Sequence, residues 1–340
     1  MTDTIFVTGG AGFIGSNFCH YLKSKGLDDV VILDMFSYAA NPDNLDGLDY
    51  KVKGVDLAER NRVDELFSQY KPKCVFHFAA ETHVDNSIKD VTPFISSNVI
   101  GTINLLNASV KYEVEGFHHI STDEVYGALK LDDPAFTEQT PYDPQNPYSA
   151  SKASSDHFVM AYHNTYGLPT VITNCSNNYG PRQHVEKLIP KTISNIKQGK
   201  KIPVYGKGEN IRDWIYVEDH CDALYVVLEK GLIGETYNIG GNEEKTNLNI
   251  VNLICEILDK KSPSLELSSY KELITYVKDR PGHDFRYAIN AQKIKNELGW
   301  EPKYKFSNAI SDTIDWYLSN KDWWNNILNN KYNLERSGKV

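Results

Sequence analysis

An α/β fold, built on a doubly wound parallel sheet with a smaller C-terminal α/β lobe, is predicted by three features of the sequence. Short β-rich runs alternate with helical stretches through the first half of the 340 residues. A glycine turn, Gly9 to Gly15, joins the first run to the first helical stretch. After about Asn177 the alternation gives way to short mixed elements among Gly- and Pro-rich turns. Strands alternating with helices form right-handed βαβ units and hence a parallel sheet covered on both faces.

Taken in order, the strands are expected at Ile5–Thr8, Val30–Asp34, 50–55, 74–79, 117–121 and 170–174, apolar or β-branched runs short enough for buried strands. The helices between them are expected at Phe13–Ser24, 58–69, 92–112 and Pro147–Tyr166. In the second half, strands are expected at Ile202–Tyr205 and Thr236–Ile239, with helices at 187–197, 217–229 and 248–258. The expected division is 1–176 for the sheet and 177–332 for the smaller lobe, with segments crossing between them. A short polar tail, 333–340, follows.

Composition narrows the function. At 41% hydrophobic and 24% charged residues the chain has the make-up of a soluble globular protein. No apolar run approaches the roughly 20 residues that span a bilayer, and residues 1–15 lack the features of a signal peptide. The cytoplasm is the expected location. A formal charge of -9 argues against general nucleic-acid binding, which needs a basic face. Five widely spaced cysteines without Cys-x-x-Cys, and ten histidines without ligand spacing, predict neither a disulfide framework nor a catalytic metal. His118 and His119, adjacent on one strand, should face opposite sides of the sheet.

The turn Thr8-Gly9-Gly10-Ala11-Gly12-Phe13-Ile14-Gly15 closes a strand and opens a helix. In a Rossmann βαβ unit, Gly9 makes the tight turn, Gly12 admits a pyrophosphate to the backbone and Gly15 lets the helix pack on the sheet. The helix N-terminus adds free N–H groups and about half a positive charge. Asp34, ending the second strand, is placed to bind both hydroxyls of an adenosine ribose and to repel a 2′-phosphate, which favours NAD over NADP. Asp56 and Leu57 are candidates for the adenine contact.

Tyr148 and Lys152 lie four residues apart, one turn along a helix face. A phenol of pKa near 10 becomes a base at neutral pH only after ~4 kcal/mol of differential stabilisation, which a lysine charge and a cationic nicotinamide ring can supply.

With these motifs in place, the chain resembles the extended short-chain dehydrogenase/reductases of the nucleotide-sugar type. Within them, the segment Ser121-Thr122-Asp123-Glu124-Val125-Tyr126-Gly127 resembles the 4,6-dehydratases that act on dTDP-glucose, and the related UDP-glucose enzymes. The likeness extends through Ala79-Ala80-Glu81-Thr82-His83-Val84-Asp85, Asn177-Asn178-Tyr179-Gly180-Pro181, Asp279-Arg280-Pro281-Gly282-His283-Asp284, Trp316-Tyr317 and Trp323-Trp324, nearly the whole chain.

The resemblance implies transient oxidation at C4 of the sugar by bound NAD, elimination of water across C5–C6 and return of the hydride to C6. It assigns the C5 base to Glu124, the acid for the departing 6-hydroxyl to Asp123, and contact with the 4-hydroxyl or with Tyr148 to Thr122. It adds Phe13, Ile14, Ser37, Ala79, Ala80, Ser97 and Asn178 to the cofactor site. For the nucleotide sugar it implies His83, Asn177, Lys187, Leu188, Pro203, Tyr205, Asn247 and His283, with Arg212 and Arg280 clamping the pyrophosphate, a task suited to bidentate guanidinium groups. It also implies a homodimer formed through a four-helix bundle by helices 92–112 and Pro147–Tyr166.

Other readings use the same scaffold: a UDP-glucose 4,6-dehydratase, or a nucleotide-sugar 4-epimerase or decarboxylase. An epimerase needs no acid/base pair for C5 and C6, so Asp123 and Glu124 disfavour it, although such a pair can also cap a helix. A non-catalytic NAD-sensing protein is the remaining alternative, disfavoured because Tyr148 and Lys152 are both present.

Overall fold

A computed structural model describes residues 4–279 and 281–329. Its first six strands are β1 (Ile5–Thr8), β2 (Val30–Asp34), β3 (Lys51–Gly54), β4 (Cys74–His77), β5 (Gly116–Thr122) and β6 (Thr170–Cys175). The later strands are β7 (Asn177–Tyr179), β8 (Ile202–Tyr205), β9 (Ile211–Tyr216), β10 (Thr236–Ile239), β11 (Glu244–Thr246) and β12 (Ile274–Val277). The main sheet has seven strands in the order β10-β6-β5-β4-β1-β2-β3, and every pairing in it is parallel. The order reverses between β1 and β4, the switch point at which open α/β sheets bind ligands beyond the carboxyl ends of their strands.

Side-chain alternation explains the two-sided core. On β1, Ile5 and Val7 face a cluster with Phe18, Leu22 and Phe76, whereas Phe6 faces Leu66, Phe67, Leu105 and Leu106 on the other side. The first face is covered by α1 (Phe13–Ser24) and the helix Val217–Lys230. The second is covered by α2 (Arg60–Tyr70), the long helix α3 over 92–111, and α4 (Pro147–Tyr166). On β5, His118 contacts Thr173 and His119 approaches Lys152, on opposite sides of the sheet as its period of two requires.

The smaller lobe has its own core of Ile193, Trp214, Ile250, Ile254, Ile310, Ile314 and Tyr317. It carries a three-stranded sheet, β11-β9-β7, and a parallel pair, β12-β8. Three features differ from the expectation. The strand Thr236–Ile239 belongs to the main sheet, where β10 pairs with β6, so the chain leaves the sheet after β6 and returns to it. The short strands β7, β9, β11 and β12 have no signal of their own in the sequence, because their pattern is set by cross-strand packing.

Helix α3 is also interrupted by a π-helical segment, Ile95–Gly101, which exposes the Asn98 carbonyl to the hydroxyls of Thr102 and Ser155. The Asn98 amide accepts from the Glu81 N–H at 2.8 Å and donates to the Glu81 carbonyl at 3.0 Å and to Ser151 Oγ at 2.8 Å. The loop after β4 is thereby tied to α4. The expected tail, 333–340, lies outside the described residues.

Candidate active site

The glycine turn is shaped by contacts that exclude side chains. Gly9 has φ +69°, and a Cβ there would lie 2.7 Å from the Ala79 backbone. A Cβ on Gly15 would collide with the Gly9 carbonyl. Asp34, buried, accepts from the Ala11 N–H at 2.9 Å and the Phe36 N–H at 2.8 Å, so the acid at the end of β2 also braces the turn. Burial pushes its carboxyl up and these two bonds oppose the shift. From the far end of the chain, Trp323 donates to Asn44, whose amide donates to the Ala11 carbonyl.

A single cleft runs from this turn over the switch point. Gly9, Gly12, Phe13, Ile14, Gly15, Asp34, Ser37, Asp56, Leu57, Ala79, Ala80, Ser97, Tyr148, Lys152 and Asn178 all line it. The narrow glycine floor, the carboxylate at the end of β2 and the N-terminus of α1 fit a dinucleotide, and they fit NAD in particular.

At the other end of the cleft, the strand end of β5 and the first turns of α4 meet. Asn146 caps α4 in a reciprocal capping box with Ser149, and Pro147 occupies its first turn, which places Tyr148 and Lys152 on the buried face. Lys152 Nζ donates to the Ile120 carbonyl at 2.8 Å. Burial, then Glu124, pushes the Tyr148 phenol well above 10, while its hydrogen bond with Thr122 opposes the shift. Desolvation of the phenolate and the carboxylate beside it are the two largest influences, and the expected lowering needs the cationic nicotinamide ring as well as Lys152.

Thr122, not Asp123, is the N-cap of the short 3₁₀ turn Asp123–Tyr126, its Oγ1 accepting from the Glu124 N–H at 3.3 Å. Asp123 is therefore free of a capping role. It is 1% exposed, receives a hydrogen bond from Thr122 Oγ1 at 3.3 Å, and its Oδ2 has no partner among the described residues. Burial, then Glu124 and Asp213, raises its pKa well above the carboxylate range, against the pull of Arg212. A buried carboxyl whose pKa is raised beside a second acid is suited to donate a proton.

A second cavity adjoins the first, shares Glu124, Asn177, Asn178 and Lys187 with it, and is walled by the smaller lobe. His83, Leu188, Pro203, Tyr205, Arg212, Asn247 and His283 line it. Arg212 is buried and rigid: its guanidinium donates to the carbonyls of Ile211, Asp284 and Phe285 and stacks 4.2 Å over the Tyr287 ring. His283 meets Asp279 at 2.6 Å across the turn that carries Gly282 at φ +62°. Arg280 lies outside the described residues.

Several residues at the site carry no local sequence signal. Glu186, buried between the cavities, lies 3.6 Å from His83 and 3.7 Å from both His184 and Lys187. Burial holds His83 down at about 4. Tyr287 stacks on Arg212, and Cys175 lines the cofactor cleft. Glu186, Tyr287 and Cys175 come from three separated stretches and meet only in the fold.

Comparison with known proteins agrees with this geometry. A family model described as GDP-mannose 4,6 dehydratase matches residues 6–313. A dTDP-glucose 4,6-dehydratase of Neisseria meningitidis is 51% identical, with 98% of each chain covered. Among solved structures, a dTDP-glucose 4,6-dehydratase of Bacillus anthracis in complex with NAD has a TM-score of 0.86 and 45% identity, over 96% of this chain and 100% of that one. The Streptomyces venezuelae enzyme of the same name, with NAD and TYD bound, has a TM-score of 0.89 and 40% identity, over 95% of this chain and 99% of that one.

Proposed function

The chain belongs to the family described as GDP-mannose 4,6 dehydratase and, within it, to the dTDP-glucose 4,6-dehydratases, and on that footing we propose that it converts dTDP-glucose to dTDP-4-keto-6-deoxyglucose and water. The observation that carries the reaction type is the buried Asp123-Glu124 pair facing Tyr148 and Lys152 across one cleft. The NAD that this cleft would hold supplies reversible hydride transfer between C4 and C6 of the sugar.

The residues of the chain handle the protons. Tyr148 takes the proton of the 4-hydroxyl, with Thr122 touching both the phenol and Asp123. Oxidation at C4 acidifies C5, whose proton Glu124 removes. Asp123 protonates the 6-hydroxyl, which leaves as water, and Glu124 returns a proton to C5. C4 ends oxidised and C6 reduced. In each turnover Tyr148 gains one proton and Asp123 loses one, so the site resets when one proton passes from the phenol to the carboxylate. The Thr122 hydroxyl is placed to relay it.

The part of the chain up to residue 176, with β10, holds the cofactor, and the part from 177 onward closes over the nucleotide sugar. The fixed guanidinium of Arg212 supports a role at the diphosphate, and Lys187 and His83 stand nearer the sugar. Incubation with dTDP-glucose and UDP-glucose in parallel tests the reading. The expected product from dTDP-glucose is lighter by the mass of one water, and a galacto product of unchanged mass refutes dehydration.

Exposed Ile95 and Ile100 on α3 and Phe158 on α4 form apolar surface on adjoining helices, which supports a homodimer through a four-helix bundle. Light scattering is expected to give a dimer for the wild type and a monomer for Ile100→Glu combined with Phe158→Glu. No helix among the described residues is long and apolar enough to cross a membrane.

A further inference from the structure

Lys152 must be charged to favour a phenolate at Tyr148, yet it is enclosed. Its residue is 4% exposed, and burial pulls its pKa down. Two turns along α4 from Tyr148, and one from Lys152, stands Asp156, fully buried on the same helix face. Its Oδ2 accepts from Ser121 Oγ at 2.7 Å and Tyr142 OH at 3.0 Å, and its Oδ1 lies 3.1 Å from His119 Nε2. The same Nε2 lies 3.4 Å from Lys152 Nζ. One ring nitrogen thus faces a carboxylate and an ammonium, and can donate to the first or accept from the second but not both.

We propose that Asp156 is a positioning residue for the reaction: acting across the His119 ring, its carboxylate keeps Lys152 charged without pairing with it directly. A direct pair would consume donors of the ammonium and draw it toward the carboxylate. With the ring between them, Asp156 acts on Lys152 through its charge across a short distance, while Lys152 keeps its contact with His119 Nε2 at 3.4 Å, its bond to Ile120 and its place beside Tyr148.

The other groups around the pair do not replace this charge. His77 on β4 and His119 on β5 are held neutral by burial. Tyr126 after β5 and Tyr142 before α4 are held protonated by burial, as is Cys175 on β6. His157 adjoins Asp156 on the helix and opposes the rise in its pKa, which burial sets at about 6.

The proposal rests on the roles given above to Tyr148 and Lys152, and its test has a readout separate from turnover. In the NAD-loaded enzyme carrying ¹³C-lysine, the Lys152 Cε resonance, assigned with Lys152→Arg, is titrated directly. Asp156→Asn is expected to lower the Lys152 pKa by about one unit or more, and Asp156→Glu to restore most of it. With a dTDP-pentose, which lacks C6 and so stops after oxidation at C4, the alkaline limb of the rate profile should shift by the same amount.

An unchanged Lys152 titration in Asp156→Asn overturns the proposal. A shifted titration with an unmoved alkaline limb overturns its link to the reaction. Should Asp156→Asn fail to fold, the wild type still decides: its Lys152 resonance must show a second inflection near the pH where Asp156 titrates, about 6, and a single inflection overturns the coupling. If the wild type dehydrates no nucleotide sugar, the reading of the reaction fails, while the lysine titration still tests the coupling.

Discussion

Tyr148→Phe is expected to lower kcat on dTDP-glucose by about 10³-fold or more, with KM changed only a few-fold. General base catalysis contributes about 10²–10⁴-fold, and here the lost base acts on the first step, upon which all later steps depend. The ring keeps its packing against Phe94, at 6.3 Å between centroids, so the fold and the walls of the cleft persist. Stopped-flow absorbance of the cofactor checks the assignment: no transient change should appear when substrate is mixed with the variant. The pH profile has a defined sign. The phenol is pushed up by burial and Glu124, so the base form becomes available as pH rises, and oxidation should accelerate with it. A variant that still produces the transient would move the base to another residue.

Asp123→Asn is expected to cut water loss by about 10²-fold or more while sparing oxidation. The side chain keeps its shape and its contact with Thr122, but has no carboxyl proton to give. Mixing the variant with dTDP-glucose should therefore produce the cofactor transient that Tyr148→Phe lacks, followed by slow release of product. The carboxyl of Asp123 is raised by burial and by Glu124, so its competent, protonated form persists to higher pH than in an ordinary carboxylate and is lost as pH climbs through the raised value. Water loss in the wild type should accordingly fall on the alkaline side, and in Asp123→Asn that fall should vanish. Unimpaired dehydration in the variant would remove Asp123 from the acid role.

The contrast between these residues and others at the site shows which kinds of information are local. Gly9, Gly12 and Gly15 are readable because each answers a steric demand within a few residues, or against one neighbouring strand. Asp34 is readable because strand length fixes its place relative to the turn. Tyr148 and Lys152 are readable because a helical repeat puts them on one face. Glu186 and Tyr287 have no such rule: each is brought to the cleft by the smaller lobe, whose short strands are specified by packing. Strand β10 joins the main sheet although it lies among the elements of the smaller lobe, since nothing in four residues of strand tells which sheet edge they will join.

The direction of the pKa shifts was likewise out of reach of sequence alone. Spacing places a lysine near Tyr148, but the cost of burying a phenolate depends on what encloses it. Here burial, then the Glu124 carboxylate, pushes the phenol up. Arg212 was singled out as a cation, and the fold adds that three backbone carbonyls and an aromatic face hold it still.

By itself the sequence determined the parallel sheet, the cofactor turn and the chemical character of the candidate catalytic groups, because periodicity and short-range sterics act between residues close along the chain. The tertiary structure alone decided which lobe each late strand joins, that Asp156, His119 and Lys152 meet beside one strand, and which acids are buried. Those properties depend on burial and on distances between residues far apart in sequence, which exist only once the chain has closed on itself.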